Sequence, residues 1–401
     1  MSPTLGLYLH IPFCESKCGY CNFASGVYPQ VIVARYLEAL STEIAQLRTI
    51  LSEVDVAYDC FPACKVDAVY LGGGTPSLID GSDIVKLFQV LREVFEFAPI
   101  PEITLEVNPG SVDPKRIEEY QEAGVNRISI GVQTFQDETL KRIGRSHNVQ
   151  DALATVELFR KMGMNNMGID IIAGLPGQTV KDWRENLNML CALSPEHISL
   201  YMLEIHEDTR FGKVYRKGAS TESGVRENPP YAALPDEDLV EQFYFDAIHQ
   251  FEGGAYHQYE ISNFAKPGRE SRHNLKYWTD QPFIGFGCSA YSYLKGKRWG
   301  NERSVRRYMD LIQRQSHAVD SRSNLTSRER EEEAIFLGLR LTQGIDLFQF
   351  ESKFGFNLRS RFKEQIEFLK EGQLIELTPE RLRLTPKGYI LSNEVFSEFL
   401  Q

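Results

Sequence analysis

The sequence has no apolar run as long as the roughly 18 residues that a membrane-spanning helix needs. It also does not begin with the basic segment and apolar run of a secretory signal peptide. Basic residues are in the minority, since 44 Lys and Arg face 55 Asp and Glu, and no basic stripe of the kind that binds nucleic acid is present. These absences predict a cytoplasmic protein that neither crosses a membrane nor binds nucleic acid.

Cysteine is scarce as well. The 401 residues contain seven cysteines, an odd number, and a protein of a reducing compartment is expected to use them as thiols and ligands rather than in disulfides. Cys191 and Cys288 are predicted to be buried. Cys60 and Cys64 fall in a predicted loop, and the sequence assigns them no role.

Three of the cysteines are concentrated near the N-terminus. Cys14, Cys18 and Cys21 have the spacing C-x3-C-x2-C. Eight residues are too few to place three thiols in separate apolar niches, whereas a metal ion or an iron–sulfur cluster requires them to converge. Three thiolates on a cubane cluster leave one iron without a protein ligand, and such an open position is typical of a reactive centre.

Other interpretations of the cysteine segment remain open. Residues 5–11 are predicted to form a strand that Pro12 ends, which places the cysteines on the following loop. A zinc site with His10 as the fourth ligand is one alternative. A cluster with a purely structural role is another.

The segment resembles the signature of the radical S-adenosylmethionine (radical SAM) enzymes, including the aromatic Tyr20 before the last cysteine. The resemblance implies a [4Fe–4S] cluster on Cys14, Cys18 and Cys21. It also implies that the fourth iron is chelated by the amino and carboxylate groups of S-adenosylmethionine, which is then cleaved to a deoxyadenosyl radical.

A glycine-rich turn follows the next predicted strand. Residues 66–71 run into GGGTP at residues 72–76, and glycines at the end of a strand let the backbone approach a ligand closely. Taken alone, the run is equally compatible with a simple tight turn. Its position after the cysteine loop resembles the motif that contacts the amino end of S-adenosylmethionine, which implies this role for Gly73, Gly74 and Thr75.

Strand and helix patterns then alternate through the first half of the chain. The predicted strands are residues 5–11, 66–71, 102–107, 127–133, 167–172 and 197–203. Six strand–helix units predict an α/β protein with parallel strands, either as an incomplete barrel or as an open sheet. The family resemblance implies the former, a partial (β/α)6 TIM-like barrel.

Polar residues end several of these strands. Glu106, Gln133 and Asp170 lie at or near the carboxyl ends of apolar strands, where active residues of such folds collect. With Tyr8 and Arg145 they resemble the S-adenosylmethionine contacts of the oxygen-independent coproporphyrinogen III dehydrogenase (oxidase) family. The resemblance implies that Arg145 pairs with the carboxylate of the cofactor, which suits a guanidinium group.

The segment HNLKYW at residues 273–278 combines a histidine with two large aromatic residues. Imidazole can ligate haem iron, and aromatic faces suit a flat macrocycle. The residues alone favour a loop over the barrel mouth with a hydrogen-bonded histidine. The motif H-N-x-x-Y-W resembles the HemW family of haem chaperones, which implies a haem role for His273, Tyr277 and Trp278.

The last part of the chain changes character. Helical patterns are followed by a predicted hairpin with strands at residues 374–377 and 381–384, which indicates an α+β domain of the winged-helix type. We therefore predict a radical SAM partial barrel over residues 1–235, a barrel extension over 236–320 and a C-terminal winged-helix-like domain over 321–401, acting as a lid or docking module.

Two departures separate this chain from the dehydrogenases. That family has a fourth cysteine two residues after the third, where this chain has Phe23, and it has a longer N-terminal extension than the 13 residues before Cys14. The chaperone resemblance implies haem as a ligand, haem-acceptor proteins, including respiratory ones, as partners, and room for peripheral membrane contact. A radical SAM enzyme acting on a tetrapyrrole is the alternative, so the sequence leaves open whether the chain is an enzyme.

Overall fold

The computed structural model describes residues 4–57, 64–215 and 232–400. Cys60 lies outside these ranges. So do residues 217–230, a segment rich in Gly, Ser, Glu, Asn and Pro for which the sequence predicts an exposed loop. Among the helices described, none has both the length and the apolar character needed to span a membrane.

Parallel strands alternate with helices in the first half of the described chain. The strands are β1 (Thr4–Ile11), β2 (Lys65–Gly73), β3 (Phe97–Val107), β4 (Arg127–Gln133), β5 (Met167–Ala173) and β6 (His197–Met202). The helices between and after them are α1 (Gln30–Ala45), α2 (Leu47–Glu53), α3 (Gly81–Val94), α4 (Pro114–Ala123), α5 (Asp137–Ile143), α6 (Val149–Lys161), α7 (Val180–Leu193) and α8 (Arg210–Tyr215). All six predicted strands are present, which confirms the α/β class.

Later elements extend both edges of this sheet. They are α9 (Glu237–Glu252), β7 (His257–Glu260), β8 (Asn263–Ala265), α10 (Arg272–Trp278), β9 (Phe283–Phe286), β10 (Tyr291–Leu294), β11 (Lys297–Asn301), α11 (Val305–Gln315) and β12 (Val319–Asn324). The strand order is β12-β11-β10-β9-β1-β2-β3-β4-β5-β6-β8-β7. Within the described ranges no pairing joins β7 to β12, so the barrel is incomplete, as predicted.

The two faces of the sheet differ in chemistry because alternate residues of a strand point to opposite sides. Leu5, Leu7 and Leu9 of β1 are fully buried in the apolar core shared with the helices. Between them, Tyr8 points to the concave face and stacks on Tyr70 of β2, with 6.3 Å between ring centroids. The concave face is therefore the aromatic and polar side on which a ligand site can form.

Helix α10 covers the end of the sheet where the strands begin. Lys276 forms an ion pair with Asp67 of β2 at 2.7 Å and donates a hydrogen bond to Thr4 Oγ1 of β1 at 3.0 Å. The carboxylate of Glu102 accepts a hydrogen bond from the backbone N–H of Arg272 at 2.9 Å. The HNLKYW segment is thus a helix at the closed end of the barrel, and the prediction of a loop over the mouth is wrong.

The C-terminal part forms a small α+β unit. Its elements are α12 (Ser327–Arg340), β13 (Ile345–Asp346), α13 (Leu347–Phe354), α14 (Leu358–Arg361), α15 (Lys363–Glu371), β14 (Ile375–Leu377), β15 (Arg381–Leu384), α16 (Pro386–Ile390) and α17 (Ser392–Ser397). The predicted hairpin is present, and β13 joins it in the order β13-β15-β14. Because β12 runs across residues 320 and 321, we propose that this domain begins nearer Leu325.

The two remaining cysteine predictions have different outcomes. Cys288 is fully buried, as predicted, and lies beside Tyr36, whose hydroxyl is 3.7 Å from its sulfur. Cys191 is exposed near the end of α7, so its predicted burial is wrong. Its position on the helix faces away from the apolar core, which the sequence pattern alone did not reveal.

A buried carboxylate joins α1 to the edge extension. Glu43 is almost completely buried and accepts hydrogen bonds from Gly287 N at 2.7 Å, Asn301 Nδ2 at 2.6 Å and Tyr308 Oη at 2.7 Å. Burial raises the pKa of Glu43 to about 7, although the three donors oppose the shift. This carboxylate therefore fixes β9–β11 and α11 against the first helix of the barrel.

We expect Glu43→Ala to lower the free energy of unfolding by about 3 kcal/mol, because three buried donors lose their acceptor. Urea denaturation of the apoprotein, followed by circular dichroism, measures the change. Glu38→Ala removes an exposed glutamate from the same helix and should change stability by less than about 0.5 kcal/mol. Equally small losses in both variants would contradict the assigned role of Glu43.

Candidate functional site

The carboxyl ends of the parallel strands surround a cavity of about 460 Å³. Ligands of open α/β sheets bind at this edge, because every βα loop starts there. All the residues predicted to bind the cluster or S-adenosylmethionine, except Tyr8, line this one cavity. They are Cys14, Cys18, Tyr20, Cys21, Gly73, Gly74, Thr75, Glu106, Gln133, Arg145 and Asp170.

The loop between β1 and α1 carries the three cysteines. Two backbone hydrogen bonds of 2.9 Å close its base, from Cys14 N to Gly26 O and from Gly26 N to Pro12 O. Its tip docks on α8, where Phe211 N donates to Gly19 O at 2.8 Å. A Cβ on Gly19 would lie 2.4 Å from the Phe211 ring, so this close approach depends on glycine.

Each of the three thiols has a polar neighbour within reach of its sulfur. For Cys14, Cys18 and Cys21 in turn, these are Thr75 Oγ1 at 3.9 Å, Arg145 Nη1 at 3.8 Å and Ser25 Oγ at 3.8 Å. Hydrogen bonds to sulfur stabilise the thiolate form and are one of the ways in which proteins tune iron–sulfur clusters. The surroundings of the thiols therefore suit cluster ligands.

The arrangement fits a polynuclear cluster better than a single ion. In the part of the chain that the structure describes, no three His, Cys, Asp or Glu side chains are placed to hold one metal ion. His10, the fourth ligand of the zinc alternative, already bonds Tyr8 Oη through Nδ1 and Ala24 O through Nε2, both at 3.0 Å. The zinc alternative thus loses its fourth ligand, whereas three thiols on one cavity wall fit a [4Fe–4S] cluster.

The glycine turn after β2 lies directly against the cysteine loop. Gly73 adopts a φ of 113°, and its N–H donates to Glu106 Oε2 at 3.1 Å. Gly74 N donates to Ile11 O at 2.8 Å, and a Cβ on Gly74 would lie 2.6 Å from Phe13 O. Both glycines are therefore required by backbone geometry, which excludes an ordinary exposed turn.

Two carboxylates form the acidic part of the cavity. Glu106 accepts a hydrogen bond from Tyr70 Oη at 2.8 Å, and Asp170 accepts one from Ser129 Oγ at 3.2 Å. Burial, and then the charge of Asp170, raises the pKa of Glu106 to about 7. Burial likewise raises the pKa of Asp170 to about 6. A cationic ligand would lower both pKa values, so this wall favours a positively charged group.

Arg145 faces the two acids from the side of the cysteine loop. Its Nη2 donates to Asn108 Oδ1 at 2.7 Å and to Gly131 O at 2.6 Å, and its Nη1 approaches Cys18. Its Nε is buried and has no partner among the described residues. A guanidinium with an unused donor beside the thiols fits the predicted pairing with a ligand carboxylate.

Gln133 ends β4 in an uncommon backbone conformation. Its φ is 69°, in the left-handed region that few residues other than glycine adopt. The strand is irregular here, since the pairing of β4 with β5 shifts between Gly131 and Gln133. The side chain lies over Gly131, where a Cβ would approach Gln133 Nε2 to 2.9 Å. Such strain is frequent at ligand sites, in line with the predicted role.

Tyr20 lies on the wall formed by the cysteine loop. Its ring packs beside Phe211, with 6.3 Å between centroids, and burial raises the pKa of its phenol. The phenol therefore stays neutral at physiological pH and contributes an apolar surface with one hydroxyl to the cavity.

Tyr8 is the predicted contact that the structure does not bring to this cavity. Its hydroxyl bonds His10 Nδ1, and its ring lies among Tyr70 and His273, deeper in the barrel. Tyr8 faces inward three residues before the end of β1, so its ring lies below the level of the thiols. The direct contact of Tyr8 with S-adenosylmethionine therefore stays a prediction, and in this conformation the ring lies beneath the site.

The residues predicted to bind haem are also outside the thiol cavity. His273 is 2% exposed, its Nε2 lies 2.8 Å from Tyr277 Oη, and burial lowers its pKa to about 3. Trp278 faces the C-terminal domain, where the Arg340 guanidinium lies 4.4 Å from its ring centroid. This conformation does not present His273 to a haem iron, so its haem role stays a prediction that the geometry does not support.

Sequence reasoning missed several residues that shape the cavity. Asn108 links Arg145 to Thr75 through hydrogen bonds of 2.7 and 3.1 Å, and Tyr201 lines the wall beside Asp170. Asn108 follows Glu106 by two residues at the end of β3, a position that could have indicated it. Tyr201 shares one face of β6 with Ser199, and only the sheet order brings it to the cavity.

Sequence comparisons identify known proteins to which this chain is similar. The sequence model of the radical SAM superfamily matches residues 8–190, and that of the HemN C-terminal domain matches residues 325–391. The heme chaperone HemW of Bacillus subtilis (strain 168) is 35% identical over 394 residues, which cover 98% of each protein. HemW of Escherichia coli (strain K12) is 32% identical over 405 residues, covering 99% of this chain and 98% of the relative.

The fold is similar to a solved radical SAM enzyme. The coproporphyrinogen III oxidase HemN from Escherichia coli superposes with a TM-score of 0.82 at 24% identity, covering 99% of this chain and 90% of that one. At this identity the superposition supports the fold and no particular activity.

The raised pKa of Glu106 predicts a pH-dependent stability. Between its ordinary value of 4.5 and about 7, the folded protein holds a proton that the unfolded chain has released, so stability falls as pH rises through this window. We expect Glu106→Gln, whose amide can bond both Tyr70 and Gly73, to reduce this fall by roughly 2 kcal/mol. Denaturation of the apoprotein at pH 5 to 8 measures it.

The exposed Glu118→Gln is the control for this experiment and should follow the pH profile of the unsubstituted protein. A profile for Glu106→Gln that matches the control would show that Glu106 titrates normally.

Proposed function

Because this chain belongs to the HemW family of haem chaperones, within the radical SAM superfamily, we infer that it binds haem and transfers it to acceptor proteins. The observation that carries this inference is the similarity to HemW proteins along the entire chain, through both the barrel and the C-terminal domain. The thiol cavity adds a radical SAM centre, so the cofactors are a [4Fe–4S] cluster and S-adenosylmethionine.

We propose specific roles for the residues of the thiol cavity. Cys14, Cys18 and Cys21 hold the cluster, which when bound supplies an electron and one iron with an open coordination position. Glu106 lies beside the glycine turn and accepts a hydrogen bond from the amino group of S-adenosylmethionine. Arg145 offers its unused Nε to the carboxylate of the cofactor.

The remaining predicted contacts surround the rest of the cofactor. Asp170 and Gln133 offer polar groups on the strand ends, and Tyr20 forms an apolar wall on the cysteine loop. The acidic wall suits the positive sulfonium of the cofactor, because a carboxylate gains an opposite charge in a partly desolvated cavity.

A radical SAM enzyme acting on a tetrapyrrole is the second candidate. The retained thiol cavity favours it. Against it, the position two residues after Cys21 is Phe23, an apolar side chain that is 64% exposed at the cavity rim and has no sulfur to offer a metal. The chaperone function therefore stays the leading proposal.

The proposal also covers the haem-acceptor proteins and the compartment in which this chain meets them. We propose that the acceptors include respiratory haem proteins met in the cytoplasm or at the membrane surface by peripheral contact. The C-terminal domain, from about Leu325, is the proposed docking module, and residues 236–324 are the barrel extension. No nucleic-acid role is proposed, since the net charge of the chain is −11.

We expect the cluster-reconstituted protein to bind about one haem per chain under anaerobic conditions and to release it to an added apoprotein such as apomyoglobin. Absorbance of the haem bands measures both steps. Incubation of the reduced protein with coproporphyrinogen III and S-adenosylmethionine should give no mass loss from decarboxylation.

Loss of two carboxyl groups from the porphyrinogen, without saturable haem binding, would instead establish the enzyme. The variants Cys14→Ser, Cys18→Ser and Cys21→Ser test whether the cluster is only structural. Folded variants that still bind S-adenosylmethionine would show that it is.

A further inference from the structure

A second cavity of about 700 Å³ lies on the other side of the cysteine loop. It opens between β1 and the strands that extend the sheet beyond it. We define the aromatic groove by six of its lining residues: Tyr8, Phe23, Tyr277, Phe283, Tyr291 and Arg303. Of the predicted cofactor contacts, Tyr8 and Tyr277 line this cavity, whereas the cysteines and the glycine turn line the thiol cavity.

Aromatic side chains form the walls of the groove. Tyr291 and Phe23 line the cavity and are 56% and 64% exposed, so both rings are accessible to a ligand. Tyr277 and Phe283 meet edge to face, with 4.6 Å between ring centroids. A cavity of this volume lined by aromatic rings suits a flat, largely apolar ligand.

One rim of the groove carries an available positive charge. Arg303 is exposed, donates only to Asn22 O at 3.2 Å, and forms no ion pair with any residue in the described ranges. Its neighbour Glu302 is held by Arg307 at 2.9 Å and by Ser304 N at 2.8 Å. A guanidinium that is not paired with a protein carboxylate can bind a carboxylate of the ligand.

The groove also carries a negative charge that forms no ion pair with any of the residues described. Asp320 is exposed on β12 and lines the cavity, so it would repel an anionic group placed near it. The ligand carboxylates are therefore expected on the side of Arg303 and the cysteine loop.

We propose that the aromatic groove is the haem site, with the ring between Tyr291 and Phe23 and a propionate on Arg303. This proposal rests on the haem-binding function proposed above. Haem combines a flat apolar ring with two carboxylates, which are the two features that the groove is built to receive.

His273 is buried and does not contact the groove, but it supports haem binding indirectly through Tyr277. The imidazole holds the hydroxyl of Tyr277 at 2.8 Å from behind, which fixes this ring in the groove wall. His273 is thus a positioning residue, and the HNLKYW segment contributes its tyrosine, not its histidine, to the surface that haem contacts.

The position of the groove beside the thiol cavity also indicates how haem and S-adenosylmethionine bind relative to each other. Asn22 and Phe23 line both the groove and the thiol cavity, so the end of the cysteine loop separates them. Haem and S-adenosylmethionine therefore occupy different cavities and bind at the same time.

Haem titration of the cluster-reconstituted protein tests the proposal. Tyr291→Ala and Arg303→Gln are each expected to weaken haem binding at least about tenfold, while Asp320→Asn should bind at least as tightly as the unsubstituted protein. The controls are Phe348→Ala, which removes an exposed aromatic residue outside the groove, and Arg314→Gln, which removes an exposed positive charge from α11. Both controls should bind normally.

Retention of S-adenosylmethionine binding and of the circular dichroism spectrum shows that the variants remain folded. If the unsubstituted protein binds haem and both groove variants bind it equally well, the groove is the wrong site. If haem displaces S-adenosylmethionine, haem occupies the thiol cavity instead. If the unsubstituted protein does not bind haem at all, the proposed function fails first, and the groove proposal fails with it.

Discussion

Burial of charge on the concave face of the sheet is the constraint on which this structure depends. Carboxylates inside a barrel are destabilising unless each has a partner, and the chain supplies those partners differently at the two ends. At the closed end, Glu102 and Asp67 receive donors from α10. At the open end, Glu106 and Asp170 accept hydrogen bonds from the neutral donors Tyr70, Gly73 and Ser129, and burial raises the pKa values of both acids. The open end is therefore the one prepared for a cationic ligand.

Hydrogen bonds join the cysteine loop and the acidic wall into one site. The loop is tied to the ends of β1, β2 and α5 by backbone hydrogen bonds, and Arg145 connects its thiols to Asn108 and Gly131 on the neighbouring strands. The same loop ends at Phe23, which faces the aromatic groove. A change in the loop on cluster binding would thus reach both the cofactor cavity and the proposed haem site, which is a physical route by which a chaperone could couple the two.

The sequence was most informative where function depends on local order. The spacing of Cys14, Cys18 and Cys21, the glycine turn and the polar ends of parallel strands all follow from short segments, and the strand ends converge because parallel sheets place them on one edge. The sequence was least informative about where α10 lies in the fold. Residues 272–278 return to the start of β1 and β2, a contact over more than 200 residues that no periodicity encodes, so His273 was predicted at a haem and lies in the core. The depth of Tyr8 along its correctly predicted strand, which places its ring below the thiols, was likewise not evident from the sequence.

The central claim is that the thiol cavity binds S-adenosylmethionine at the open iron of the cluster, with Arg145 on its carboxylate. Electron paramagnetic resonance of the reduced, reconstituted protein, with and without S-adenosylmethionine, tests it most directly. We predict that S-adenosylmethionine changes the cluster signal of the unsubstituted protein and that Arg145→Gln needs at least about tenfold more of it for the same change. A cluster signal that is indifferent to S-adenosylmethionine at saturating concentration would contradict the account.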